Sequence, residues 1–205
     1  MSEITAITPQ VKDKTRCNIE VDGRFYCGMK LETVMQNRLK VGVSVTQEEL
    51  SMMQLESEKA TALDKALTHI TASMKTEKEV RAYLRKKGYL DDVCDYVVEK
   101  MKGYGFLDDG AYSVAYVGSV GKRKGRRLIA AELKRKGVSD EEIEGALQTL
   151  TGETESAAAI LKKYLRGKEL DKKTMQKAYA YLIGKGFDYE TAREALRSLG
   201  AEDED

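Results

Sequence analysis

Apolar and polar side chains alternate near the start of the chain, in Arg16-Cys17-Asn18-Ile19-Glu20-Val21 and, less regularly, in Arg24-Phe25-Tyr26-Cys27-Gly28-Met29. A period of two is that of a half-buried strand. Asp22-Gly23 between the runs predicts a hairpin, because a type I′ turn needs positive φ at both central residues. A two-residue loop sets Val21 opposite Arg24 and Ile19 opposite Tyr26, which splits the apolar set between the faces unless a bulge intervenes. Ile4 to Thr8 is a candidate third strand. A lone hairpin is marginal in water, so a helix should cover it, and Leu31 to Leu39 is the nearest candidate.

The period changes at Thr46. Thr46-Gln47-Glu48-Glu49 has the hydroxyl and the glutamate of a capping box, and Leu50, Met53, Leu63, Ala66, Leu67 and Ile70 carry a long helix toward Ile70. No strand is expected beyond this point. Instead the chain repeats. Gly88, Gly137 and Gly186 stand 49 residues apart, each preceded by a lysine, and Leu84, Leu133 and Leu182 keep the same spacing. Apolar residues recur after each glycine: Tyr89, Cys94, Val98 and Met101, then Val138, Ile143, Leu147 and Leu150, then Phe187, Ala192, Leu196 and Leu199. Upstream, Leu63, Tyr112 and Leu161 correspond, as do Leu67, Tyr116 and Leu165. Steps of three and four put these residues on one helical face. The glycine suits the left-handed conformation that ends a helix. Thr76 with Glu79, Ser139 with Glu142, Asp171 and Asp188 fit the caps of helices, and Asp91 fits the same role, shifted by a single residue. Each unit is therefore three helices, and stacked units share a core.

Composition narrows the chemistry. A chain of 205 residues is long enough for one domain, two, or a small array, and it can bury a core without disulfides. A single histidine, His69, leaves little for nucleophilic catalysis and is read as structural or exposed. Cys17, Cys27 and Cys94 lack the short spacing of structural zinc ligands. Gly118-Ser119-Val120-Gly121-Lys122 is no phosphate loop, since that spacing needs glycine at Tyr116 and Ser or Thr at Arg123. Asp108-Asp109 reads as a helix start rather than a metal site. No cofactor or metal is expected. The start lacks the basic end and apolar run of an export signal, and no stretch approaches ~18 apolar residues. The expectation is a cytoplasmic protein with free thiols and no membrane contact.

Net charge is +1, but Ala72 to Lys136 holds 16 Lys/Arg against 9 Asp/Glu, while the remainder holds 19 against 25. The chain closes on Glu202-Asp203-Glu204-Asp205, read as a solvated acidic tail. A basic middle suggests an anionic partner. Its densest stretch is Lys122-Arg123-Lys124-Gly125-Arg126-Arg127, which with Lys134, Arg135 and Lys136 bounds the second helix of the middle copy. Open backbone amides at that helix's start would add to the attraction for phosphate. Arg81, Arg85, Lys86 and Lys87 form a weaker patch one copy earlier, and the third copy has Lys172, Lys173 and Lys177. The cations of the first two copies are the candidate contact surface for nucleic acid or for an acidic groove of a filament, against the plainer alternative of a solvated helical face. Tyr83, Tyr89, Tyr96, Tyr104, Tyr112 and Tyr116 invite base stacking. Tyr89, Tyr112 and Tyr116 stand where the other copies are apolar, so packing is the stronger reading for them.

Leu107-Asp108-Asp109, Tyr112, Ala115, Gly125, Ile129, Glu132-Leu133 and Lys136-Gly137 form an ordered set that resembles the pattern of the RecX family, across roughly Ala60 to Gly200. The hairpin segment resembles the N-terminal segment of some members. Two departures stand out. The arginine common before the second helix of the first copy is absent from Ser73-Met74-Lys75-Thr76, and Gly118-Ser119-Val120-Gly121 falls late in the middle copy's first helix. The resemblance implies a mainly α fold of three tandem three-helix repeats in an elongated array with a small N-terminal β-hairpin element. The divisions would be a hairpin extension at 1–45, repeats at 46–107, 108–151 and 152–200, and the acidic tail at 201–205. It further implies a monomeric, non-enzymatic regulator that binds the RecA–DNA filament and limits RecA ATP hydrolysis and strand exchange in recombination and DNA repair. Its partners would be RecA and, weakly and in a salt-dependent way, single- and double-stranded DNA, with the basic residues named above making the contact. The alternatives are a stand-alone DNA-binding protein of three-helix modules, which predicts tight binding to naked DNA, and a helical protein–protein scaffold, which predicts none.

Overall fold

In the computed structural model, which describes residues 2–201, the chain begins as a sheet and continues as helices. Strands β1 (Ser2–Pro9), β2 (Arg16–Val21), β3 (Arg24–Lys30) and β4 (Ser44–Val45) form an antiparallel sheet in the order β3-β2-β1-β4. Asp22 and Gly23 take φ of 50° and 76°, as the hairpin requires. Val21 pairs with Arg24, and a register shift then pairs Ile19 with Cys27 rather than Tyr26. That bulge lets Cys17, Ile19, Cys27 and Met29 join Ile4, Val34 and Leu50 in one core. Val34 belongs to α1 (Leu31–Gln36), the helix expected beside the hairpin. The two-residue β4 pairs with Ser2 and Glu3 and is too short to show a period in the sequence.

Beyond Val45 the described residues contain no strand. Three three-helix units follow: α2 (Gln47–Thr71), α3 (Glu77–Lys86) and α4 (Asp91–Gly103), then α5 (Asp109–Val120), α6 (Arg126–Arg135) and α7 (Asp140–Leu147), then α8 (Glu153–Leu165), α9 (Lys172–Gly184) and α10 (Tyr189–Ala201). The turn glycines Gly88, Gly137 and Gly186 have φ of 85°, 89° and 88°, the left-handed cap the repeat predicts. Leu84, Leu133 and Leu182 are fully buried, each in its own unit's core, where a leucine contributes roughly 2 kcal/mol. Tyr89 and Tyr112 are buried and Tyr116 packs at the edge of its core. Thr46, Thr76 and Ser139 complete capping boxes, and Asp171 and Asp188 accept from the amides of Thr174 and Thr191. Asp91 is a correction: it is the first residue inside α4, pairs with Arg85 at 2.8 Å and caps nothing. The acidic residues Glu202 to Asp205 lie outside the described residues.

The chain divides into two compact units between Asp108 and Asp109. In the first, the turn at Gly88 meets strand β3. Gly28 N donates to Gly88 O at 2.8 Å, and a Cβ on Gly88 would lie 2.8 Å from Gly28 N. Gln54 of α2, fully buried, donates to the carbonyls of both glycines and accepts from Leu90 N at 2.6 Å. In the second unit, the turn at Gly186 meets the start of α6. Gly125 N donates to Lys185 O and Arg127 N to Gly186 O, both at 3.0 Å. A Cβ on Gly125 or on Gly186 would overlap the backbone facing it.

Candidate functional site

The sequence places its densest charge around α6, and the structure shows what each cation touches. Gly125 has no side chain with which to cap that helix. Its first amides are nonetheless occupied: Gly125, Arg126 and Arg127 donate to Lys185 O, Glu153 Oε2 and Gly186 O. The expectation of open amides for phosphate is therefore corrected. A carboxylate and two carbonyls of the third repeat already satisfy the positive end of the helix dipole.

The cations divide by company. Arg126 also donates Nε to Glu153 Oε1 at 3.0 Å, and Arg127 lies 5.7 Å over the Tyr189 ring. Lys124 donates to both oxygens of Glu132 at 2.6 and 2.7 Å, and the Tyr116 hydroxyl donates to the same carboxylate at 2.6 Å. The Lys124–Glu132 hydrogen bond holds Lys124 above its usual pKa. Burial alone would raise Glu132, but its bonds from Lys124 and Tyr116 prevail and lower it, while burial and Glu132 push Tyr116 up. Lys134 pairs with Asp140 at 2.9 Å in the open, a pair of little energetic weight. Arg135 is exposed, and its charge helps lower Glu132. Lys122 and Arg123 are exposed, Arg123 bonding only the Ser119 carbonyl at 3.0 Å among the described residues.

In the first repeat, Arg81 donates Nε to Glu77 at 2.6 Å and Nη1 to Asp95 at 2.5 Å. Partial burial works against its charge, yet these two carboxylates raise its pKa. Arg85 is matched by Asp91. Lys86 and Lys87 face solvent, Lys87 lying 5.4 Å over Tyr83. The same contact recurs in the third repeat, where Lys185 lies 5.3 Å over Tyr181. In the middle repeat Glu132 replaces that tyrosine, and Lys136 lies 5.4 Å over Tyr112 instead. The lysine before each turn glycine thus has a cation–π partner inside the chain. Of the basic residues singled out in the first two copies, Lys86, Lys87, Lys122, Arg123 and Arg127 face solvent with no carboxylate partner among the described residues, as do Lys172, Lys173 and Lys177 of the third.

A second basic cluster escaped the sequence reading. Lys12 and Lys65 join Lys86 and Lys87 around a cavity of about 480 Å³ in the first unit, with Arg16 and Phe25. No run of charge announces it, because its members come from four separate segments. Elsewhere the side chains offer little reactive chemistry. Cys17, Cys27 and Cys94 are buried thiols, and burial pushes Cys27 to about 12 and Cys94 to about 11. His69 stacks on Tyr83 at 4.0 Å. Among the described residues no cluster of His, Cys, Asp or Glu is arranged to hold a metal, and no helix is long and apolar enough to cross a membrane.

Comparison with known proteins follows the order of the chain. The RecX N-terminal domain matches residues 2–46, and the first, second and third RecX three-helix domains match 62–101, 108–147 and 152–196. A regulatory protein RecX from Clostridium beijerinckii is 32% identical, the match covering 100% of this chain and 99% of that protein. The chain belongs to the RecX family. A RecX regulatory protein from Bacillus licheniformis is 29% identical over 100% of this chain and 80% of its own length. A crystal structure of a RecX regulatory protein superposes with a TM-score of 0.62 at 25% identity, covering 94% of this chain and 98% of that one. RecX from Lactobacillus salivarius shares the fold with a TM-score of 0.67 at 23% identity, over 72% of this chain and 99% of that one. The sheet and the three helical units described above are thus the architecture of RecX regulatory proteins.

Proposed function

We propose that this RecX-family chain binds the RecA–DNA filament and restrains RecA ATP hydrolysis and strand exchange in recombination and DNA repair. It acts as a single cytoplasmic chain by occupancy, without a cofactor and without chemistry of its own. The observation that carries this reading is the set of solvent-facing cations without a carboxylate partner among the described residues, Lys86, Lys87, Lys122 and Arg123, in the first two repeats of a family of regulators. Such cations are available to phosphate, whereas Arg81, Arg85, Lys124, Arg126 and Lys134 already face carboxylates. Arg135 and Lys136 add positive charge at the end of α6 in the second of these repeats. Repeats along one chain let weak contacts add through effective concentration.

The test is DNA-dependent ATP hydrolysis by RecA, with this protein titrated well below the concentration of DNA sites. Inhibition is expected, and Lys122→Glu with Arg123→Glu should shift it to higher protein concentration. These positions are preferable to Arg126, whose reversal would also break the Glu153 contact at the start of α6. No effect of the parent chain on RecA, with binding to naked DNA intact and falling steeply with salt, would replace this reading with the stand-alone DNA-binding one.

A further inference from the structure

The cavity of the first unit is lined by Lys12, Lys65, Lys86 and Lys87, none of them paired with a carboxylate among the described residues. Asp13 is the lining carboxylate, and it accepts from the Thr15 amide at 3.1 Å and the Thr15 hydroxyl at 2.6 Å. Arg16, only 4% exposed, also lines the cavity. Its Nη1 bonds Glu58, while its Nη2 has no partner, and one oxygen of Glu58 is likewise unpartnered. Glu58 answers the Arg16 charge, so the four lysines are the cations of the cavity that lack a carboxylate among the described residues. Burial, then the Arg16 charge, holds Lys65 below its usual pKa, with Asp13 opposing. The positive charge gathered by the four lysines faces Asp13 as its one lining carboxylate. At the rim stands Phe25, 55% exposed although it is a large apolar ring.

We propose that this cavity binds single-stranded nucleic acid, seating a backbone phosphate among Lys12, Lys65, Lys86 and Lys87 and stacking the adjoining base on Phe25. Four lysines against one lining carboxylate, with Arg16 already matched by Glu58, suit a phosphate chain better than a lone acidic side chain, and an exposed aromatic beside cations is how sequence-tolerant strand binders hold a base. The proposal deepens the reading above by extending the surface of Lys86 and Lys87 into a cavity, and rests on it for the choice of nucleic acid. It is tested without RecA, so either can fail alone.

The experiment is fluorescence anisotropy of a labelled oligothymidylate with the full-length chain across a salt series. Lys12→Gln with Lys65→Gln should weaken binding and reduce the slope of log affinity against log salt by about 1.4, two strand contacts at ~0.7 each. Phe25→Ala should weaken binding about fivefold or more and leave the salt slope unchanged. Circular dichroism matching the parent shows that the variants fold. The proposal is overturned if these variants bind as the parent does while Lys122→Glu with Arg123→Glu does not. It is equally overturned if the parent binds no oligonucleotide at low salt, which would leave the RecA reading to its own assay. Displacement of the strand by polyglutamate at equal charge, insensitive to Phe25→Ala, would make the cavity a protein site. Displacement by inorganic phosphate at the oligonucleotide's own concentration would make it a site for the free ion.

Discussion

The turns at Gly88 and Gly186 share a shape and differ in company. Both follow a Lys over a Tyr one turn earlier, and both carry φ near 85–88°. Gly88 offers its carbonyl to a strand, receiving Gly28 N and the side chain of Gln54. Gly186 and its preceding lysine offer their carbonyls to a helix end, receiving Arg127 N and Gly125 N. In each case the facing residue is also a glycine, Gly28 or Gly125, because backbone meets backbone with no room for a Cβ. A repeated helix ending thus supplies a standard pair of acceptors, and the rest of its unit decides what docks there.

The largest way to break this comparison is to fill the second seam. Gly186→Ala combines a left-handed φ with a Cβ that would overlap the Leu128 backbone. It should cost about 3 kcal/mol or more in guanidinium unfolding, the sum of a conformational and a packing penalty. Gly167→Ala has the same sign of φ, 74°, but open space around the new atom, and should cost only about 1 kcal/mol. Equal losses for the two would mean that the seam is not close-packed. Gly88→Ala should fall between them, since its neighbour lies 2.8 Å away.

The first seam depends on a side chain that the second does not need. Gln54→Ala would leave Leu90 N without its acceptor and remove a donor from the carbonyls of Gly28 and Gly88. A loss of about 2 kcal/mol is expected, because buried polar groups stripped of partners bear the full desolvation cost. Amide hydrogen exchange at Leu90 should quicken most. Unchanged protection there would show that the α4 start is held by something other than Gln54.

What the sequence disclosed was local. The Asp22-Gly23 turn, the capping boxes and the 49-residue repeat depend on residues within a few positions of one another, or on a period. Register inside the hairpin was only half legible, since the bulge that pairs Ile19 with Cys27 answers to the core rather than to the turn. The contacts that fix the candidate site are remote. Glu153 and Lys185 occupy the amides of α6, so a basic cluster that reads as an open phosphate site is already partly filled. Gln54 and Glu58 are polar and so fall outside the apolar pattern of the helix, yet they continue a buried stripe, Leu50, Gln54, Glu58, Ala62 and Ala66, in steps of four. Tracking position rather than apolarity along α2 would have exposed both. Nothing in local pattern brings Lys12 to Lys65, because only the fold of the β1–β2 loop over α2 does so.

Acid offers the smallest and most selective test of the comparison. The third helix of the last repeat is capped by a carboxylate, Asp188 Oδ1, which accepts from Thr191 N at 2.7 Å. The corresponding helix of the first repeat is served by the amide oxygen of Gln54, which does not titrate near neutral pH. The Thr191 amide bond, ahead of its hydroxyl and the Arg126 charge, outweighs burial and holds Asp188 below the usual 3.8. A depressed carboxylate stabilises the fold above its unfolded value and loses that contribution as pH falls through its folded value. The loss should therefore come below about pH 4 and stay under about 1 kcal/mol, the worth of a whole N-cap, because the protonated carboxyl still offers an acceptor oxygen. Asp188→Asn keeps a capping oxygen without the titration, so protection of Thr191 should become less acid-sensitive while that of Leu90 is unaltered. If parent and variant lose protection at Thr191 over the same pH range, the cap is not what acid removes, and the two repeats end their turns on equal terms.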